Sequence, residues 1–154
     1  NIYKNRDDIN AVAHAHPMYG KTFSTLGKTL DPITQDSCAF YERTAIFADY
    51  DGVANGPQEG INISKALADK DFLILQNHGI LTTGSMIDTT IWYFLNMEDA
   101  CKSQLIAESV GKPIKIPHDV ACNTRDYVAN DLSAFVSLQP LLDLLWEEEK
   151  DFLD

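Results

Sequence analysis

The sequence predicts a mixed α/β domain, because segments with the two-residue period of a strand alternate with segments that have the period of a helix. Residues 10–16 alternate between alanine and larger side chains, as a half-buried strand does. The apolar run at residues 72–75 is too short for a confident helix and indicates a buried strand. In residues 85–110 the apolar positions recur at helical spacing, which predicts the longest helix of the chain.

The remaining elements are predicted from caps, breakers and short apolar runs. Helical segments are expected at the N-terminus, from Pro17 in a first turn through residues 21–26, at 58–68 and after Pro117, with Pro140 separating two helices. Further strands are expected at 43–49 and 80–82, an irregular segment at 28–43, and a turn or loop at 51–57.

Length, net charge and cysteine content limit the classes of protein to which the chain can belong. A chain of 154 residues without repeats or a Gly/Ser linker predicts one domain covering residues 1–154. The net charge of −11 argues against nucleic acid or an anionic membrane surface as a partner. The three cysteines form no CxxC pair, so neither a disulfide framework nor a thiolate zinc site is indicated, and a reducing cytoplasm fits best. No apolar run is long enough to span a bilayer.

The pair His14 and His16 is the first candidate for chemistry. One residue separates them, so on a strand both imidazoles leave the same face within reach of one ion. A stable site for a cation such as Zn²⁺ needs at least three protein ligands, with one position left for water or substrate. His78 is the preferred third ligand, since Asn77 and Gly79 tolerate backbone angles that can turn the ring toward a cleft.

His118 is the alternative third ligand. It follows Pro117 and precedes Asp119 at a predicted helix start, so we expect a surface histidine near a helix cap. The preferred set also has a purely structural interpretation, because a histidine pair can be a satisfied core pair and Asn-His-Gly can be a simple turn. Both motifs together, in a chain with only four histidines, favour the metal interpretation.

These residues also resemble a known family. Residues 8–20 are similar to the histidine-strand motif of class II aldolase/adducin proteins, and residues 76–81 are similar to their third-ligand motif. Residues 31–41 and 139–143 resemble a less characterised fungal and bacterial branch rather than the sugar-phosphate aldolases. The resemblance covers nearly the whole chain.

The resemblance implies a fold, an assembly and a site. It implies a three-layer α/β/α domain around a largely antiparallel sheet, a homotetramer with active sites at subunit interfaces, and one divalent metal ion held by His14, His16 and His78. Zinc is the first expectation, with iron, manganese, cobalt and nickel as alternatives. The implied activity is that of a lyase, which cleaves or forms a carbon–carbon bond in a small oxygenated substrate while the metal stabilises an enolate or enediolate.

The family supports several reactions, so the fold leaves alternatives. They are a decarboxylase, an iron-dependent oxygenase on the same three histidines, and a non-catalytic assembly domain as in the adducin branch. For the acid/base group the resemblance indicates Asp36 and Tyr41, in a loop that in relatives approaches the neighbouring subunit's metal. In the structural interpretation Asp36 only caps a turn, and Tyr41 only packs with its hydroxyl at the surface.

The chain departs from the family pattern before its histidine strand. Typical members carry a catalytic carboxylate and glycine- and serine-rich phosphate-binding loops upstream of the histidine pair, whereas only 13 residues precede His14 here. Either the domain is N-terminally truncated or its acid/base group comes from elsewhere, and we favour truncation.

Overall fold

The structure is a computed structural model that describes residues 1–49 and 57–149. Within these residues the strands are β1 (Ala11–Ala15), β2 (Thr44–Phe47), β3 (Phe72–Leu75) and β4 (Gly79–Gly84). The helices are α1 (Ile2–Asn5), α2 (Met18–Ser24), α3 (Pro57–Leu67), α4 (Ile87–Val110), α5 (His118–Val128) and α6 (Asp131–Glu148), with a short 3-10 helix at Asp36–Phe40. Residues 51–56 of the predicted turn lie outside the described part of the chain.

These strands form one sheet in the order β1-β4-β3-β2. β4 pairs antiparallel with both β1 and β3, whereas β2 and β3 are parallel. The sheet is therefore mixed but largely antiparallel, as the family resemblance implied. In the parallel pair Thr44 lies opposite Phe72 and Phe47 lies opposite Leu75. The residues before β2 are thus at the opposite end of the sheet from the turn that follows β3.

Helices cover both faces of the sheet. Phe72 and Ile74 of β3 lie in a buried core with Met97 of α4. Leu73 and Leu75 lie in a second buried core, with side chains from α1 and α3. Because β3 is buried on both faces, its sequence is a continuous apolar run rather than an alternating one. The three-layer α/β/α arrangement is confirmed.

The helical tail corrects one prediction. Pro140 was expected to separate two helices, and this is wrong, because Pro140 lies inside α6. The break falls earlier, at Asn130, whose Oδ1 accepts a hydrogen bond of 2.9 Å from the backbone N–H of Ser133 at the start of α6. A proline removes the helical donor for the carbonyl four residues before it, here that of Val136. Val136 is exposed, so solvent can supply the missing donor and the helix continues.

Smaller differences concern the ends of elements. The helix predicted from Pro17 through Lys21 to Leu26 is α2, which begins at Met18, directly after Pro17, and ends at Ser24. The segment 28–43, predicted as irregular, contains the 3-10 helix Asp36–Phe40. Among the described residues, no helix combines the length and the apolar composition needed to cross a bilayer.

Gly79 stands where β4 begins against the end of β1. A methyl group at Gly79 would lie 2.5 Å from the carbonyl oxygen of Ala15 and 3.0 Å from Cδ2 of His16. We expect Gly79→Ala to lower the free energy of unfolding by about 1 to 3 kcal/mol, the usual effect of overpacking, as measured by urea denaturation.

The matched control for this prediction is Gly111→Ala. A methyl group at Gly111 meets nothing within 4 Å, and the residue is exposed and extended. The control should shift the free energy of unfolding by no more than about 0.5 kcal/mol. Equal unfolding curves for the two variants would contradict the close approach of β1 and β4.

Candidate metal centre

Three imidazole rings converge at one end of the β1–β4 pair. The ring centroids of His14 and His16 are 5.1 Å apart, those of His14 and His78 are 5.0 Å apart, and those of His16 and His78 are 4.4 Å apart. One ring nitrogen of each lies within 4.8 Å of the others. His14 and His16 are exposed and His78 is half-buried, so the cluster is open to solvent on one side.

His14 is oriented by the strand beside it. It belongs to β1 and pairs with Leu81 of β4. Its Nδ1 lies 2.9 Å from the carbonyl oxygen of Ile80. A carbonyl accepts only, so a neutral ring in this position donates from Nδ1 and keeps a lone pair on Nε2. Such a second hydrogen bond is how metal-binding histidines are usually fixed in tautomer and direction.

His16 is fixed by the helix that follows it. Beyond Pro17 the chain enters α2, where the backbone N–H groups of Tyr19 and Gly20 donate to the Glu98 carboxylate at 2.8 and 2.6 Å. Glu98 belongs to α4. These two charge-assisted hydrogen bonds hold the first turn of α2 against α4, and with it the direction in which the chain leaves His16.

His78 is presented by the tight turn between β3 and β4. Asn77 has a φ of +58°, in the left-handed region that asparagine tolerates better than most residues. The backbone N–H of His78 donates to the carbonyl of Leu75 at 3.0 Å. Burial lowers the pKa of His78, and the neighbouring rings of His14 and His16 lower it further. A lowered pKa keeps this imidazole neutral, the form that binds a metal.

The donor set fits a divalent transition metal. Tetrahedral zinc holds imidazole nitrogens about 3.4 Å apart, so small side-chain rotations of rings already within 4.8 Å of one another would complete the geometry. Three neutral imidazoles suit zinc, iron, cobalt, nickel and manganese. Two of the three histidines lie at the end of one strand and the third lies in a turn far along the chain, and their role as metal ligands stays a prediction.

The structure does not bring Asp36 and Tyr41 to these histidines within one chain. Asp36 is exposed at the start of the 3-10 helix, beside Trp92 and Tyr127 in a cavity of about 170 Å³. The Tyr41 hydroxyl lies 3.2 Å from Nδ1 of His118. Tyr41 precedes β2, at the opposite end of the parallel strand pair from the turn that carries the third histidine.

Sequence reasoning missed two other groups. Glu98 is one, because a carboxylate on a helix gives no sign that it will meet backbone N–H groups of another helix. The second is a set formed by Glu42, His118 and Cys122, whose ligand atoms also lie within 4.8 Å of one another. His118 is the exposed first residue of α5, as predicted. Its spacing to Cys122, four residues on a helix, was the available signal.

The fold and the histidine cluster agree with a family comparison. Residues 1–105 match the family described as Class II Aldolase and Adducin N-terminal domain. The chain therefore belongs to the class II aldolase and adducin family.

Individual relatives carry different activities in their names. Decarboxylase NovR of Streptomyces niveus is 37% identical over 91% of this chain and 52% of its own length. The 4-hydroxy-3-prenylphenylpyruvate oxygenase/4-hydroxy-3-prenylbenzoate synthase of Streptomyces roseochromogenus subsp. oscitans is 36% identical over 91% of this chain and 50% of its own. The structure of L-fuculose 1-phosphate aldolase from Glaciozyma antarctica PI12 matches with a TM-score of 0.86 and 35% identity, over 97% of this chain and 57% of that chain. The chain thus spans about half the length of the curated relatives it matches.

The role of Glu98 can be tested by removing its carboxylate. Glu98→Ala leaves the N–H groups of Tyr19 and Gly20 without their acceptor, and we expect the free energy of unfolding to fall by about 2 kcal/mol. The affinity for zinc should fall as well, because His16 loses its fixed direction. Asp99→Ala, at the exposed neighbouring position, is the matched control, and an equal loss of stability in both variants would contradict this role.

Proposed function

We propose that this chain forms the metal-binding domain of a divalent-metal-dependent lyase of the aldolase type, which cleaves or forms a carbon–carbon bond in a small oxygenated substrate. The observation that carries the proposal is the convergence of His14, His16 and His78 at one end of the sheet. Family membership supports it, because the relatives include a protein named as a decarboxylase and a structure named as an aldolase.

The charge of the donor set favours this chemistry. When bound, a divalent cation would polarise a carbonyl as a Lewis acid and would stabilise the negative charge of an enolate or enediolate. Three neutral imidazoles leave the full charge of the ion available for that purpose. His14, whose Nδ1 is held by the carbonyl of Ile80, would offer Nε2 to the ion, and the exposure of His14 and His16 leaves room for a substrate. Zinc is the proposed metal, with iron, manganese, cobalt and nickel as alternatives.

A second copy of the chain is part of the proposal. Asp36 and Tyr41, the proposed acid/base groups, would move a proton at the histidine site of a neighbouring subunit in a homotetramer, since Tyr41 lies at the far end of β2 and β3 within its own chain. Large apolar side chains are exposed on two helices and support association with other subunits. They include Ile87, Ile91 and Leu95 of α4, and Leu132, Phe135, Val136, Leu141, Leu144, Leu145 and Trp146 of α6.

The proposed partners are a small molecule and other copies of the chain, as the family resemblance implies. The net charge of −11 opposes nucleic acid and anionic membranes as partners. The cytoplasm is the proposed location, because the three cysteines form no CxxC pair and fit a reducing compartment.

The second candidate function is a decarboxylase or an iron-dependent oxygenase at the same three histidines. The names of the two Streptomyces relatives favour it. Decarboxylation of a β-keto acid and retro-aldol cleavage both leave an enolate, so the same charge stabilisation serves each. An adducin-like assembly domain is the weaker alternative, because an assembly role does not require three converging imidazoles.

Metal content tests the histidine assignment. We expect His14→Ala and His78→Ala each to lose about one metal ion per chain relative to the unmutated protein purified without added metal, because two imidazoles hold a transition metal weakly. Elemental analysis measures the loss. Lys21→Ala, exposed on the neighbouring helix α2, should keep the metal. Unchanged metal content in both histidine variants would favour the assembly domain.

Enolate chemistry can be tested without knowing the natural substrate. In deuterium oxide, a zinc-loaded chain should exchange the α-hydrogens of a small hydroxyketone such as dihydroxyacetone, and NMR measures the exchange. We expect Asp36→Asn and Tyr41→Phe to retain the metal and to slow this exchange at least about tenfold, because general acid/base groups contribute on that scale or more. Unchanged rates would remove these two residues from the mechanism, whereas oxygen consumption by an iron-loaded chain with a keto acid would favour the oxygenase.

A further inference from the structure

We infer that Glu42, His118 and Cys122 form a second metal site, which binds a borderline divalent cation such as zinc and fastens α5 to the turn before β2. The site shares no residue with the three-histidine cluster and does not depend on the proposed lyase activity. A carboxylate oxygen, an imidazole nitrogen and a thiol sulfur lie within 4.8 Å of one another.

The distances suit one cation. Glu42 Oε1 lies 3.6 Å from His118 Nδ1, and Cys122 Sγ lies 3.9 Å from the same nitrogen. Cys122 Sγ lies 3.9 Å from Glu42 Oε2. Around tetrahedral zinc, with its usual bond lengths to nitrogen, oxygen and sulfur, such ligand atoms are about 3.4 to 3.6 Å apart. The two distances from Glu42 use different carboxylate oxygens, and Cys122 Sγ also lies 3.8 Å from His118 Nε2. With one ligand atom for each residue, the three atoms lie within 4.8 Å of one another, so rotations of the side chains would bring them to the zinc distances.

Local structure explains how these side chains meet. His118 and Cys122 are four residues apart in α5, so they share one face of that helix. Glu42 comes from the turn between the 3-10 helix and β2, where it has a φ of +60°. This backbone conformation is uncommon for glutamate, and here it brings the carboxylate to the face of α5 that carries the thiol and the imidazole.

A simple ion-pair cluster is the rival explanation. Arg125 Nη1 lies 3.7 Å from Glu42 Oε2. However, Arg125 has a closer carboxylate in Asp126, at 2.9 Å, so it does not require Glu42. An ion pair also gives no reason for a thiol beside the imidazole and the carboxylate, whereas thiolate and imidazole together are characteristic zinc ligands.

The thiol of the cluster is the most accessible of the three cysteines. Cys38 and Cys101 are fully buried, and Cys122 is half-buried. Burial raises the pKa of the Cys38 and Cys101 thiols, which keeps them protonated and disfavours them as metal ligands. A thiolate signal from bound metal would therefore report Cys122.

The experiment separates this site from the three-histidine site by its sulfur ligand. A chain carrying His14→Ala and His78→Ala is titrated with Zn²⁺ and, separately, with Co²⁺ under a phosphine reductant. We expect about one ion per chain to bind, and the cobalt form to show the near-ultraviolet thiolate-to-cobalt charge-transfer band that an all-imidazole site does not produce.

Variants in the same background identify the ligands. Cys122→Ser should abolish the charge-transfer band, and Glu42→Gln should weaken binding at least about tenfold, because each removes one of only three ligands. Asp119→Asn, which changes an exposed carboxylate of α5 outside the cluster, should leave binding unchanged. If the background variant fails to fold, the cobalt titration is done on the unmutated chain. Its three-histidine site has no sulfur ligand and does not contribute to the thiolate-to-cobalt band.

Three results would overturn the inference. They are the absence of zinc binding by the background variant, zinc binding without a thiolate band in the cobalt form, and a band that persists in Cys122→Ser. Any of them would leave the cluster as an ion pair with a neighbouring thiol. None would bear on the lyase proposal, which is tested by the loss of metal from the other site.

Discussion

The histidine cluster depends on the close approach of two backbones at the end of the β1–β4 pair. The position of Gly79 leaves no space for a side-chain carbon, because one would meet the carbonyl oxygen of Ala15 at 2.5 Å. This contact sets the ring of His78 4.4 Å from that of His16. The hydrogen bond from His14 to the carbonyl of Ile80 crosses the same two strands. The site is thus a property of one strand pairing, and small side chains make that pairing possible.

Helix α4 supports the strand pairing from behind. Its Glu98 holds the first turn of α2. Six residues further along α4 lies the fully buried Gln104. Its Oε1 accepts a hydrogen bond of 2.8 Å from the backbone N–H of Asp31, and its Nε2 donates one of 2.8 Å to the Glu108 carboxylate. The segment that follows α2 is thereby held by α4, the same helix that holds the first turn of α2. A buried polar network of this kind, once satisfied, fixes a single arrangement of the chain.

The features that the sequence predicted are those with a local cause. Strand alternation placed His14 and His16 on one face, and the short apolar run at residues 72–75 identified the central buried strand. The features it missed depend on distant parts of the chain. Cys122 meets Glu42 across 80 residues, and no local pattern records that contact. Pro140 was misjudged for a related reason, since its effect depends on whether the carbonyl of Val136 is exposed.

The ligands of the two proposed metal sites differ in charge, and this difference would give the sites different roles. Three neutral imidazoles leave a divalent ion its full charge, which is what stabilisation of an enolate requires. A thiolate and a carboxylate would neutralise the same ion, so a cation on Glu42, His118 and Cys122 would hold structure rather than polarise a substrate. The Tyr41 hydroxyl lies beside the second cluster, 3.2 Å from Nδ1 of His118. A cation on this nitrogen would replace that contact, whereas the role proposed for Tyr41 at the histidine cluster of a neighbouring copy does not require a cation there.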